Sequence, residues 1–238
     1  MIAKDIEYRD GTDRMLGFLA YKEGAPAERP GVLVVHEGLG LNDFAMERAR
    51  MVARLGYVAL AADMFADRRQ AKDLEEARAL IGALRSEPLK VRTRAMAALD
   101  VLSGLPQVDA KRLGAIGFCF GGTTVLELAR GSADLKAVIS FHGVLSTAAP
   151  AVAGTVKARI LVCTGADDPL VPPEQVVAFE AEMRAAKVAD WQVMSFGNTL
   201  HGFTNPAADG SIMASALYNK SADRRSWAAM KSLFEEAF

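Results

Sequence analysis

Cys119 has Gly117 two residues before it and Gly121 two residues after it, in Gly117-Phe118-Cys119-Phe120-Gly121-Gly122. A thiol reacts as its thiolate, so its surroundings decide whether it is a nucleophile. The apolar run Arg112-Leu113-Gly114-Ala115-Ile116 ahead of it reads as a strand. Thr123 to Ala129 behind it reads as a helix of small residues. Strand, sharp turn and helix with this glycine spacing make a nucleophile elbow. The turn is strained, and a Cβ at either flanking position would meet the neighbouring strand or helix. The helix N-terminus beneath the sulfur favours the thiolate.

Two partners follow in a fixed order. The strand-like run Ile160-Leu161-Val162-Cys163-Thr164-Gly165 leads into the turn Ala166-Asp167-Asp168-Pro169-Leu170-Val171-Pro172. The strand Trp191 to Phe196 leads to His201-Gly202-Phe203. Nucleophile, acid, histidine is the chain order of the α/β-hydrolase triad, with cysteine where serine is usual. Asp167 and Asp168 compete for the acid, and the Pro169-Leu170-Val171-Pro172 spacing favours Asp168. Such a carboxylate fixes the imidazole tautomer and stabilises the imidazolium. Of the three histidines, only His201 follows the last strand. His36 ends the first central strand, where a histidine usually lends hydrogen-bond support to the oxyanion loop. His142 ends the strand after the elbow helix, and strand ends of this kind face the crevice. His36, His142 and Phe203 are therefore candidate pocket-lining residues, with packing the alternative for His142. The expected oxyanion donors are the backbone N–H groups of Phe120 and of Gly38, in His36-Glu37-Gly38-Leu39-Gly40. Gly38 and Gly40 also suit a tight strand-to-helix turn, and Glu37 alone reads as a solvated loop residue. Cys163, inside a strand, reads as a small buried hydrophobe.

Other chemistries lack their residues. Gly38 to Asp43 has no third glycine for a dinucleotide fingerprint, and no Gly-Lys-Ser/Thr ends the elbow. No His, Cys or Glu cluster has metal-ligand spacing. No cofactor and no metal are expected. The 238 residues, 51% hydrophobic, suit one domain over 1–238 with a large core. A net charge of −1, without a basic block, argues against a nucleic-acid partner. The longest apolar runs are too short to cross a bilayer, and the charged start Met1 to Glu7 is unlike a signal peptide. A cytoplasmic protein acting on a small molecule is expected, a monomer with a dimer left open.

The elements that must position these groups can be read in turn. Ile6–Arg9 and Met15–Tyr21 flank the turn signal Asp10–Asp13 as an antiparallel pair. Glu23–Pro30 reads as a polar loop. Gly31–His36 and Tyr57–Ala62 read as strands buried on both faces, with a helix over 43–55 between them. The stretch 65–105 shows no strand and two helices, over about 71–84 and 89–103, partly over the active site. Glu174–Lys187 and Ser221–Phe238 are amphipathic helices, the first burying Val176, Phe179 and Met183, the second Trp227, Met230, Phe234 and Phe238. The fold class expected is α/β, with a mostly parallel central sheet, helices on both faces and an antiparallel N-terminal strand pair.

At His36-Glu37-Gly38-Leu39-Gly40, Asp63-Met64-Phe65, Gly117–Gly122, Gly165–Pro172, His201-Gly202-Phe203 and the tail Ala216-Leu217-Tyr218-Asn219 with Ala222–Trp227, the chain resembles the dienelactone hydrolase family, the carboxymethylenebutenolidases. The resemblance implies an α/β-hydrolase fold, a monomer, and hydrolysis of an ester or lactone through Cys119, Asp168 and His201. It also implies that Glu37 contacts the resting thiol until substrate displaces it. The chain departs from the family at the two positions that hold a substrate carboxylate. Serine and arginine are replaced by Gly202 and Asn205, so the dienelactone substrate does not carry over. Arg78, Arg85 and Arg92 are candidate replacement cations. A broad carboxylesterase or thioesterase is the rival enzyme, and a non-catalytic ligand-binding homologue the rival from another class.

Overall fold

The computed structural model describes residues 1–24 and 28–238; residues 25–27, within the expected 23–30 loop, lie outside them. Eight strands form one sheet in the order β1-β2-β4-β3-β5-β6-β7-β8. β1 (Ile2–Asp10) and β2 (Asp13–Tyr21) are an antiparallel hairpin, and β2 joins β4 (Val58–Ala62) antiparallel. Every other pairing is parallel: β3 (Arg29–Val35) lies between β4 and β5 (Val108–Phe118), followed by β6 (Ala137–Phe141), β7 (Arg159–Gly165) and β8 (Trp191–Phe196).

The apolar runs of β3 and β4 are buried because both faces of the sheet are covered. Leu33, Val35, Leu60 and Ala62 join one core; Val32, Val34, Ala59 and Ala61 join the other. Strand alternation sends successive side chains to opposite faces, so such a strand must be apolar throughout. α1 (Asp43–Arg54) and α6 (Lys220–Ala237) cover one face. α2 (Leu74–Arg85), α3 (Pro88–Ser103), α4 (Phe120–Arg130) and α5 (Pro173–Ala185) contribute to the other. Asn42 caps α1 by accepting from the Ala45 N–H, and Asn219 caps α6. Of the faces expected on the last two helices, Phe179, Met183, Met230 and Phe234 are buried, while Val176, Trp227 and Phe238 are half-buried.

The expected elements are present with shifted ends. β1 and β5 begin earlier than the apolar pattern, because polar residues at the sheet rim still pair. α4 starts at Phe120 rather than Thr123, so both glycines after the elbow are helical. After β4 the chain turns through three left-handed residues, Ala66, Asp67 and Arg68, at φ 62°, 49° and 51°. The Asp63 carboxylate holds this turn, accepting from the Leu16, Phe65 and Arg68 N–H groups at 2.7–3.0 Å. Among the described residues, no helix is long and apolar enough to cross a membrane.

Candidate active site

Cys119 sits between β5 and α4 with φ 53° and ψ −116°, a conformation that costs a non-glycine residue about 1–3 kcal/mol. Main-chain crowding holds it there. A Cβ on Gly117 would stand 2.0 Å from the Gly121 carbonyl oxygen, and one on Gly121 would stand 2.2 Å from that of Val35. The Cys119 N–H is shared between the Phe141 carbonyl at 2.9 Å and His142 Nδ1 at 3.1 Å.

The strand-end turns bring the partners together. His201 Nδ1 donates to Asp168 Oδ2 at 2.7 Å, with both side chains buried. The other oxygen of Asp168 accepts from the Leu170 N–H at 2.8 Å, which fixes the carboxylate. Asp167 is exposed. His201 Nε2 is buried without a hydrogen bond among the described residues, and His201 and Cys119 line the same cavity. Burial lowers the pKa of His201, but charge at Cys119 and the hydrogen bond to Asp168 outweigh it and push it up to about 10. Cys163 is fully buried, and burial pushes its thiol far up.

The loop after β3 forms the facing wall. Glu37, Gly38 and Leu39 line the cavity. Neither the Gly38 nor the Phe120 N–H has a hydrogen-bond partner among the described residues, whereas the Gly121 N–H donates to the His36 carbonyl at 3.0 Å. The loop is braced from outside: Ala71 N–H donates to the Leu39 carbonyl, and the Gln70 amide to that of Leu41.

Three expectations for the pocket wall are corrected. His36, His142 and Phe203 are fully buried and lie behind the lining. His36 Nε2 accepts from the Met64 N–H at 3.2 Å, so its Nδ1 carries the proton and donates to the Glu37 carbonyl at 2.6 Å. His142 Nδ1 accepts from Cys119, so its Nε2 donates to the Thr204 hydroxyl at 2.8 Å. Burial, then the neighbouring His201, holds His142 well below the usual histidine range. Its ring packs edge-on against His201 and Phe203, 5.1 Å from each centroid. Strand position placed these residues at the crevice; backbone direction, including φ 42° at His142, turns them beneath it.

No hydrogen bond joins Glu37 to the Cys119 thiol among the described residues, although both line the cavity. Asn205 Nδ2 donates to Glu37 Oε2 at 2.7 Å, and its Oδ1 accepts from the Ala207 N–H, which fixes the amide orientation. Burial raises the Glu37 pKa; Asn205, His201 and Arg48 oppose that rise. Sequence reasoning named Asn205 only as a departure from the family and missed its bond to Glu37, and it missed Arg48 altogether. Arg48 lies on the inward stripe of α1 with Ala45, Ala49 and Val52, and that position was the available signal. It pairs with Asp223 at 2.9 Å and donates to the Thr204 carbonyl. Of the candidate cations, Arg78 and Arg85 line the cavity without an ion pair among the described residues. Arg92 is excluded, because Glu127 holds it at 2.8 Å.

The cavity has a volume of about 890 Å³ and is walled mainly by apolar residues of α2, the oxyanion-loop region and the 202–216 segment. Among the described residues, no group of acidic, histidine and cysteine side chains is arranged to hold a metal ion. A mostly parallel sheet with a nucleophile elbow and an acid–histidine pair at its strand ends defines an α/β-hydrolase. The family model for the dienelactone hydrolase family matches residues 15–238, and the chain belongs to that family as an ester hydrolase acting on a small molecule. The solved structure named m3DLH is 47% identical, with a TM-score of 0.94, covering 100% of this chain and 98% of that one. A dienelactone hydrolase-like promiscuous phosphotriesterase from metagenomic libraries is 45% identical with the same TM-score and coverage. A Caenorhabditis elegans protein, K02A2.1, is 38% identical over 151 residues, 63% of this chain and 95% of that protein.

Proposed function

We propose that the chain cleaves a carboxylic ester or lactone through a thioester at Cys119. The observation that carries this reading is the buried His201–Asp168 bond of 2.7 Å, with Nε2 left free beside the cavity that Cys119 lines. His201 takes the thiol proton, and the sulfur adds to the carbonyl carbon to give a tetrahedral oxyanion. The unoccupied N–H groups of Phe120 and Gly38 stabilise that oxygen. Collapse expels the alkoxide, which takes the proton from His201. Water, deprotonated by His201, then cleaves the thioester and releases acid and free thiol. His142 and His36 support this centre from below by fixing the elbow backbone and the Glu37 carbonyl. Glu37, held by Asn205, lines the same cavity as the thiol.

Cys119→Ala should lower ester turnover by about three orders of magnitude or more, since such groups act as a unit. Mass spectrometry of quenched wild-type enzyme should find the acyl group on Cys119. Full activity in the Cys119→Ala variant would overturn the reading. A second reading, phosphotriester cleavage at the same thiol, is favoured by the name of the 45% identical neighbour.

A further inference from the structure

A second, smaller space adjoins the active-site cavity. Beside the main chamber of about 890 Å³ lies a space of about 80 Å³, and the two share walls at Arg85, Phe120 and Thr123. Phe120, Thr123 and Glu127 are spaced i, i+3 and i+7 on α4, so they lie on one helix face. The recess therefore runs along α4 away from the elbow, between Val91 of α3 and the exposed Ala148. Two of its polar groups are already engaged, and Arg85 stands on the wall it shares with the main chamber. The Thr123 hydroxyl donates to the Val144 carbonyl at 2.9 Å. The Glu127 carboxylate, buried, is paired with Arg92 at 2.8 Å and Arg130 at 3.0 Å. Neither is available to a ligand, and most of the remaining lining is apolar, so the space suits a small apolar group.

The chemistry assigns the two spaces. The leaving oxygen must receive its proton from His201, because that residue took the proton from the thiol. The alcohol portion therefore lies toward His201, on the side where Gly202, Asn205 and Met213 line the main chamber. The acyl substituent, on the same carbonyl carbon, points away from His201, toward Phe120 and Thr123. We infer that the recess is the acyl subsite, and that the enzyme takes short straight-chain acyl esters of bulky apolar alcohols or phenols. A space this small holds only a short chain, and we assign it about three carbons, a butyryl group counted beyond its carbonyl. A longer chain would leave the recess beside Ala148 and gain no further burial.

This inference rests on the thioester reading above, and the test separates the two. Naphthyl esters from acetate to octanoate would be compared by kcat/KM, with Cys119→Ala as a control in each case. The value should rise about fourfold per methylene up to butyrate, the factor equivalent to burying one CH₂, and then stop rising. Ala148→Leu, at an exposed position where the fold is not at risk, should collapse the butyrate-to-acetate ratio from about sixteenfold toward one. Thr123→Ser, which keeps the hydroxyl and removes a methyl, should move the plateau to a longer chain. A ratio unaffected by both substitutions, or a steady rise through octanoate, would overturn the acyl subsite while leaving the thioester reading intact. Turnover that survives in Cys119→Ala would overturn both.

Discussion

The two walls of the cavity are built in opposite ways. On the elbow side, every residue of α4 is buried, and the contacts that matter are between main-chain atoms. On the α2 side only Ala77 and Leu84 of the helix are buried, and a Cβ at Gly82 would meet nothing within 4 Å. The elbow wall cannot change without moving strands. The α2 wall can change shape through single side chains such as Ile81, Arg78 and Arg85. On the proposed roles, the nucleophile Cys119 stands on the first wall, and the second is free to set which substrate reaches it.

The sharpest way to break this contrast is one methyl group at Gly121. Gly121→Ala would place a carbon against the β3 backbone, which has nowhere to move. It should destabilise the protein by more than about 3 kcal/mol, read as a collapse in melting temperature and soluble yield. A stable, active variant would show that the elbow wall is soft. Next in size is the acid. Asp168→Asn should keep the fold and lower turnover by roughly 10²–10⁴ through a misdirected imidazole, while Asp167→Asn stays within about threefold because its side chain is exposed. Kinetics of both variants check this, and the reverse ranking would move the acid.

A smaller effect tests the charge on the loop that faces the elbow. The folded pKa of Glu37 is raised by burial above its ordinary 4.5. Between the unfolded and folded values the native state holds the extra proton, so stability is greatest below 4.5 and declines as pH rises through the folded value. Glu37→Gln should therefore raise the melting temperature at pH 8 and leave it unchanged at pH 4. Equal differences at both pH values would mean that the carboxylate carries no ionisation penalty. The smallest effect belongs to the α2 wall: Gly82→Ala should stabilise by about 0.5–1 kcal/mol by helix propensity. A lower melting temperature would mean that α2 is as constrained as α4.

The same contrast decides what was legible in the sequence. The elbow could be read because its constraint is local: Gly117 and Gly121 serve a collision within a few residues. Asp168 and His201 could be read because parallel strands deliver their ends to one edge. The Asn205–Glu37 bond could not, since it joins a loop after β3 to the irregular 202–216 segment, which has no periodicity to register it. Whether His36, His142 and Phe203 face the crevice or lie beneath it depends on backbone direction at the strand end, which residue type does not encode. α4 begins before its small-residue run, at Phe120, because tight packing keeps Gly121 and Gly122 helical despite glycine's poor helix propensity.

The strand order also bears on how the molecule is made. β3 is synthesised early but acquires its neighbour β5 only after α1, β4, α2 and α3 have followed. The N-terminal hairpin reaches the rest of the sheet only through β4. Closing these long loops is costly before the contacts that reward it exist. During translation the cysteine leaves the ribosome well before β7, β8 and the segment bearing His201. On the proposed roles, the nascent chain carries a thiol with no base to ionise it, so its chemistry switches on only when the far edge of the sheet is in place.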